Sequence, residues 1–381
     1  MTAAEASRTR TSLIQEVTPG TQPAGAMLVV PKTNCTLRDA VGYRASDIIR
    51  SDANVQGVHK VSDGVTGGLA TELQYAPSAE ALGLLIAGAF RSTFTAAATQ
   101  STGVTCTTNV LSAGTPDLDT ICEVGDIVRV RTSGDVLLGY YRVTIVSAGA
   151  HTITVEGTLA NGSNYKVLRG ARIKNGTTDK HFSIEHARLD AALFHIFRGM
   201  GVGSMGIRVA DEQLTTVAFG LEGMNSERGT STFGASGHTD PTSYATIAAT
   251  SVPVLRIGGT EYEVMSASFD FANNLRARRK VGTSGPTSIG RGTFTVTGSV
   301  DMYLDAWTEL TKYEAGTASA ILLAMHDEAG NGCSLSLPTV KWTDGSESTD
   351  RKDTDDMARL RFQAEMHATE LVTARLQFFL A

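Results

Sequence analysis

The sequence predicts a mainly β fold: an antiparallel β-sandwich or barrel with one or two short flanking helices and a small inserted β-domain. Three observations lead there. Apolar and polar residues alternate from Thr293 to Met302, with Phe294, Val296, Val300 and Met302 on one side and Gly298 among them. Successive side chains of a strand point to opposite faces, so period two marks a half-buried strand. The alternation returns further on. Ala358, Leu360, Phe362, Ala364 and Met366 share one face, while Arg359, Arg361, Gln363, Glu365 and His367 share the other. Finally, the chain carries 39 Gly and is rich in Thr and Ser. Thr fits a pleated surface and Gly fits tight turns and bulges.

Element by element, the first twelve residues are polar and read as a flexible arm, with residues 1–20 together forming an N-terminal arm. Met27 to Val30 is strand-like until Pro31 interrupts it. Gly57 to Tyr75 alternates around Gly64, Gly67 and Gly68 and reads as a hairpin with a bulge. Pro77-Ser-Ala-Glu80 then opens a helix to about Ala89, since proline in a first turn gives up no needed hydrogen bond.

Residues 96–176 read as an inserted unit, a small antiparallel barrel or sandwich. Its strands are Ile127–Arg131, Tyr140–Val146 and Thr152–Glu156, with turns at Gly125-Asp126, Ser133-Gly-Asp135 and Asn161-Gly162. Residues 1–95 and 177–381 then form one discontinuous domain. In the second part, Lys180–Arg188 is strand-like, and Asp190 caps a short helix that stops near Gly199. Strands follow at about Ser204–Val209 and Leu214–Leu221. Residues 223–250 form a long Gly/Ser/Thr-rich loop, and Asp305–Ala315 is a helix ending at Gly316. The alternate positions Val372, Ala374, Leu376 and Phe378 give a last strand.

Composition and motifs argue against catalysis. With 381 residues and 41% hydrophobic residues the chain can bury a sizeable core. The formal charge of −6 is the wrong sign for a conventional nucleic-acid binder, which needs a basic face to displace counterions. The start lacks an apolar signal core, and the longest apolar run, Ala81–Phe90, is too short to span a membrane, so a soluble protein made in a cytosol is expected. Cys35, Cys106, Cys122 and Cys333 have no C-x-x-C spacing and are expected as buried reduced thiols, although Cys106 and Cys122 lie in one segment. Gly201-Val-Gly203-Ser-Met-Gly206 spells G-x-G-x-x-G, but a helix-like segment precedes it and a strand follows, the reverse of a dinucleotide site; a bulged turn is favoured. His181, Glu185, His186 and His195 cluster in sequence, yet on a strand they diverge, so structural roles are favoured over metal ligation. No cofactor and no catalytic or metal residue is expected.

Two charged stretches are candidates for contacts between subunits. Arg276, Arg278, Arg279 and Lys280 form a basic run after a strand. Asp344, Glu347, Asp350, Asp353, Asp355 and Asp356 form an acidic stretch that reads as a solvated hairpin tip, with an acidic contact surface as the functional alternative. Asp353, Asp355 and Asp356 are taken with the basic run as the candidate contact set.

The order of short motifs resembles the tail tube family of long-tailed, siphovirus-like bacteriophages. The segments are Thr18-Pro-Gly-Thr-Gln-Pro23; Asp47-Ile-Ile-Arg-Ser-Asp52 followed by Gly64-Val-Thr-Gly-Gly-Leu69; and Glu80 to Phe90. They continue with Phe182-Ser-Ile-Glu185, Phe197-Arg-Gly-Met200, Asn273-Asn-Leu-Arg276 with Ile289-Gly-Arg-Gly292, Phe294 to Val300, and Leu337-Pro-Thr-Val-Lys341. The resemblance covers residues 13–95 and 177–381, leaves the role of the insertion unexplained, and implies that the insertion sits on the outer surface. It implies a non-enzymatic virion protein, assembled in the host cytoplasm, whose hexameric rings stack into a hollow tube that conducts DNA without binding it specifically. Implied partners are sibling copies and the tail terminator, tape-measure and distal tail proteins. Another tube component, either a terminator or a contractile-type inner tube, and a carbohydrate-binding module in residues 96–176 are the alternatives.

Overall fold

A computed structural model describes residues 5–248, 254–348 and 355–381. The fold is mainly β. Among the described residues it holds a continuous 19-stranded sheet, a closed six-stranded barrel, two separate two-stranded ribbons and three short helices.

The large sheet folds over on itself because two long strands serve both of its layers. Leu193–Ala210 pairs through its first half with His181–Arg188 and Asn225–Gly229, and through its second half with Thr216–Gly223 and Val264–Ala272. Gly332–Ser348 likewise pairs first with Ser319–His326 and Arg375–Phe379, then with Met357–Ala364. The G-x-G-x-x-G run lies inside the first of these strands. Its register against Thr216–Gly223 slips between Val202 and Ser204, a bulge that bends the strand toward the second layer. Leu13, Phe182, Ile184, Met205, Phe269, Phe362 and Phe378 belong to the single large core between the layers. Helix α1 (Ala81–Phe90) lies in it, with nine of its ten residues buried, and closes on Arg91 in the left-handed region. Helix α3 (Thr308–Ala315) covers the strand end near Trp342 and stops at left-handed Gly316, where the sequence places the stop.

The strongest patterns fold as expected. Thr295–Tyr303 buries Val296, Val300 and Met302; Met357–Ala364 buries Ala358, Leu360, Phe362 and Ala364. Met366 departs from that face: it lies past the strand end and is 62% exposed. The last strand is Arg375–Phe379, buried on both faces, because the second face meets the barrel.

Four expectations are corrected. The polar N-terminal segment is no loose arm from residue 9 onward: Thr9–Glu16 pairs along its whole length with His181–Arg188. Its hydroxyls hide the pattern; Thr11 and Ser12 are fully buried, and Thr11 Oγ1 meets His186 Nδ1 at 2.9 Å. The segment 57–75 is two strands but no hairpin. Val58–Ser62 pairs back with Gly42–Ala45, whereas Val65–Glu72 pairs with Thr216–Gly223. The corner between them is held elsewhere, by Asp63 N–H donating to Ser284 O at 2.7 Å. The helix expected after Asp190 is strand. Asp190 accepts hydrogen bonds from the N–H groups of Ala191 and Glu5, so its capping chemistry closes a turn that returns Leu193 opposite Arg188. Within 223–250, Asn225–Gly229 and His238–Thr239 are strands rather than loop, paired with Leu193–Ala210 and Met27–Val29.

Strands Ser101–Thr107, Val110–Ser112, Ile127–Arg131, Leu137–Ser147, Thr152–Val155 and Gly162–Arg169 close into the barrel. Closure leaves it without sheet edges. It has its own core, including Val104, Leu111, Val128, Val143, Ile153 and Val167, with helix α2 (Leu118–Ile121) plugging one side. The next strand, Ala171–Lys174, already belongs to the large sheet. The barrel sits on that sheet through an apolar seam of Ile127, Tyr140, Val254, Leu322, Ala324 and Phe379. Beside the seam lies a buried ionic network: Asp126 takes Arg375 and Arg172, and Glu370 takes Arg142.

Candidate assembly surfaces

One layer of the large sheet turns a continuous polar face outward. In order across it run Val65–Glu72, Thr216–Gly223, the second half of Leu193–Ala210, Val264–Ala272, Thr295–Tyr303, Met357–Ala364 and the end of Gly332–Ser348. Alternation sends Phe269, Phe271, Val296, Val300 and Leu360 to the core, and therefore sends Ser268, Asp270, Thr297, Ser299 and Arg361 outward. Several of the outward side chains bond to each other. Ser268 Oγ and Ser299 Oγ are 2.8 Å apart, Ser266 Oγ donates to Asp301 at 3.0 Å, and Arg208 donates to Asp270 at 2.6 Å. The face carries both signs of charge, as its two alternating sequences indicate.

The charged stretches lie at opposite ends of these strands. At one end, Arg276–Arg278 and Ser288–Gly290 form a two-stranded ribbon of their own. Arg276, Arg278, Arg279 and Lys280 are all exposed, and Val281 at the turn is fully in water. Arg279 ties the ribbon down by donating to the carbonyls of Asp63 and Ser284 at 2.8 and 3.1 Å. Arg276 donates to Arg291 O at 3.0 Å. Among the described residues none of these four cations makes an ion pair. At the other end, just before Met357–Ala364, sit Asp355 and Asp356; Asp353 lies outside the described residues. Leu304 N–H donates to Asp356 O at 3.0 Å, which places Asp356 beside Asp305. The structure thus does not bring the basic and acidic candidates together within one chain.

A third surface escaped the sequence reading. The ribbon Gly42–Ala45 with Val58–Ser62 pairs only with itself, and its strands and connecting loop put apolar side chains in water. Ile49 is 97% exposed, Val55 68%, Tyr43 64% and Val58 63%. Isolated exposed apolar residues are ordinary, whereas several on one self-paired element are unusual for a single chain. The signal available was Ile48-Ile49 standing among polar residues in Asp47–Asp52.

The polar clusters of the interior hold the fold together. Glu185, fully buried, accepts from Thr232 Oγ1 and from Phe233 N–H at 2.6 Å, and pairs with Arg10 at 3.4 Å. His186 lies against Thr11, and burial holds its pKa down at about 4. His195 stands directly opposite His186 across the strand pair, and its Nε2 is 3.4 Å from Asp39. Asp117, Asp119 and His151, on the barrel, bring three donor atoms within 4.8 Å. They are largely exposed, and the hydrogen bond from His151 to Asp119 raises the imidazole pKa. Cys106 and Cys122 are both buried and unbonded to each other, and burial pushes the Cys122 thiol up to about 12. Tyr140, Tyr141 and Tyr165, the aromatic residues a glycan-binding platform in the barrel would need, are all buried.

A two-layer β-body with a polar outer sheet face, self-paired ribbons and oppositely charged strand ends has the features of a structural protein. The chain matches the family described as phage tail tube protein over residues 6–364, and it belongs to that family. It is thereby a structural component of the virion tail. No curated protein matches the chain.

Proposed function

We propose that this chain is the subunit of the tube of a long, siphovirus-like tail, and that six copies form a ring and rings stack into a hollow conduit for DNA. The observation that carries this reading is the self-paired ribbon of residues 42–62, whose exposed Tyr43, Ile49, Val55 and Val58 remain in water on a single copy. Burying such side chains stabilises by roughly 1.5–3 kcal/mol each, enough for a few of them to drive association. A second copy of the same chain is the partner always present at matched concentration.

In this reading the sheet face bearing Ser268, Thr297 and Ser299 lines the channel. The hydroxyls of Ser268 and Ser299 are bonded to one another and Arg208 is paired with Asp270, so these groups hold passing phosphates weakly. The net charge of −6 per copy adds a repulsive background. The barrel of residues 101–169 then faces outward, since a closed domain inside the channel blocks passage. The basic residues Arg276, Arg278, Arg279 and Lys280 and the acidic residues Asp353, Asp355 and Asp356 supply contacts between copies. Terminator, tape-measure and distal tail proteins meet the ends and interior of the tube, which assembles in the host cytoplasm. Nothing in this role calls for a cofactor or a catalytic group.

Sedimentation velocity across a concentration series, with negative-stain microscopy of the same samples, tests the proposal. Rings or hollow tubes that grow with concentration are expected. A monodisperse monomer at every concentration sinks it.

A further inference from the structure

The basic ribbon has a counterpart on the same chain that it cannot reach. At the opposite end of Val264–Ala272 lies a groove of about 480 Å³, lined among others by Asp211, Glu263, Val264, Met265 and Asp305. Asp211, Glu263 and Asp305 are exposed and, like the ribbon cations, make no ion pair among the described residues. Met265 in the groove is 43% exposed, and Val281 on the ribbon is wholly exposed. The register fixes the separation. Ser266, at the groove, stands opposite Ala210, while Ala272, four residues before the ribbon, stands opposite Ser204. Six residues of extended strand span roughly 20 Å, so ribbon and groove of one copy cannot meet.

We infer that the ribbon Arg276–Arg278/Ser288–Gly290 of one copy docks into the Asp211–Glu263–Asp305 groove of the next, with Arg276, Arg278 and Lys280 against the carboxylates and Val281 against Met265. The inference rests on the tube reading and names the pairing that propagates it. Two different surfaces at opposite ends of one chain make a head-to-tail contact, which repeats without limit instead of closing on two copies. Unpaired charge on both surfaces supplies direction and register, and the apolar tip supplies burial. Nucleic acid is the less favoured partner for the ribbon, because it leaves the three groove carboxylates without a role.

Charge exchange tests it. The ribbon variant Arg276→Glu/Arg278→Glu/Lys280→Glu and the groove variant Asp211→Lys/Glu263→Lys/Asp305→Lys change exposed side chains only, so each is expected to melt as the parent does. The pair Lys280→Glu and Glu263→Lys serves as a minimal version if a triple variant melts early. Each variant alone is expected to need about tenfold more protein to assemble, because like charges then face each other. Mixing the two variants in equal amounts, or combining both sets in one chain, restores assembly near the parental threshold. The parental threshold also rises with added salt. Variants that assemble alone at the parental threshold overturn the inference while leaving the tube reading intact. So does a mixture that fails to assemble, and so does a ribbon variant that assembles normally but loses DNA retention. A parent that never assembles removes the tube reading itself, and this inference with it.

Discussion

Across the seam between the barrel and the large sheet, Arg375 donates to Asp126 at 2.8 Å, with both side chains almost wholly buried. Arg172 reaches the other carboxylate oxygen, and Gln377 bonds the Ile127 backbone on both its donor and acceptor sides. Removing Asp126 takes the nearest carboxylate from the buried Arg375, which keeps only Val124 O and the more distant Glu370. Asp126→Ala is therefore expected to lower stability by about 3–5 kcal/mol, the cost of breaking a buried pair from one side. Urea unfolding followed by far-ultraviolet circular dichroism measures it; a loss under about 1 kcal/mol shows that water reaches the seam.

Glu185 organises a second join, between the N-terminal strand and the segment after Gly229. Its carboxylate accepts from Thr232 Oγ1 and Phe233 N–H and pairs with Arg10. Glu185→Ala is expected to cost about 3 kcal/mol and to free the segment 230–240. Hydrogen exchange at the Phe233 amide reads this directly, and unchanged protection there speaks against the role.

Stability should fall as the solution is acidified below neutral. Burial depresses the His186 pKa to about 4 and lowers those of His195 and His238 as well. An imidazole held neutral in the folded chain gains its proton more readily when unfolded, where its pKa is about 6.5. The stabilisation is thus complete above pH 6.5 and is lost as pH falls toward 4, with His186 contributing up to about 3 kcal/mol. Denaturant titrations at stepped pH give the slope, and His186→Gln flattens it. An identical slope in that variant contradicts the assignment.

Gly298 interrupts an otherwise regular alternation, and its neighbours explain why. A Cβ there meets Ser268 O at 2.1 Å and the Phe362 ring at 2.6 Å. Gly298→Val must push the strands Val264–Ala272 and Met357–Ala364 apart, at a cost of about 2 kcal/mol or more. Thermal melting checks this, and a variant that melts with the parent shows that the sheet yields there.

Legibility in the sequence followed how strictly side-chain polarity reports burial. Thr295–Tyr303 and Met357–Ala364 were readable because each has one wet and one dry face. Ile127–Arg131 was readable because a barrel strand is short and bounded by turns. Thr9–Glu16 was not, because Thr11 and Glu16 are buried as hydrogen-bonded polar groups and Ser12 is buried with them. Leu193–Ala210 was misread at its start, since an Asp followed by Ala-Ala-Leu satisfies a helix cap and a turn equally well. The basic run at 276–280 was visible as charge, but its acidic counterpart was not. Asp211, Glu263 and Asp305 come from three separated segments, and only pairing of Ala210 with Ser266 and the fold of the following turn gather them.

The central claim is that copies of this chain join into a tube with the Ser268–Thr297–Ser299 face toward the channel. Cryo-electron microscopy of the concentrated purified protein tests it most directly. The account predicts stacked six-fold rings with that face lining the lumen and the barrel of residues 101–169 on the outside. Particles without rotational symmetry, or a lumen walled by the barrel, would contradict it.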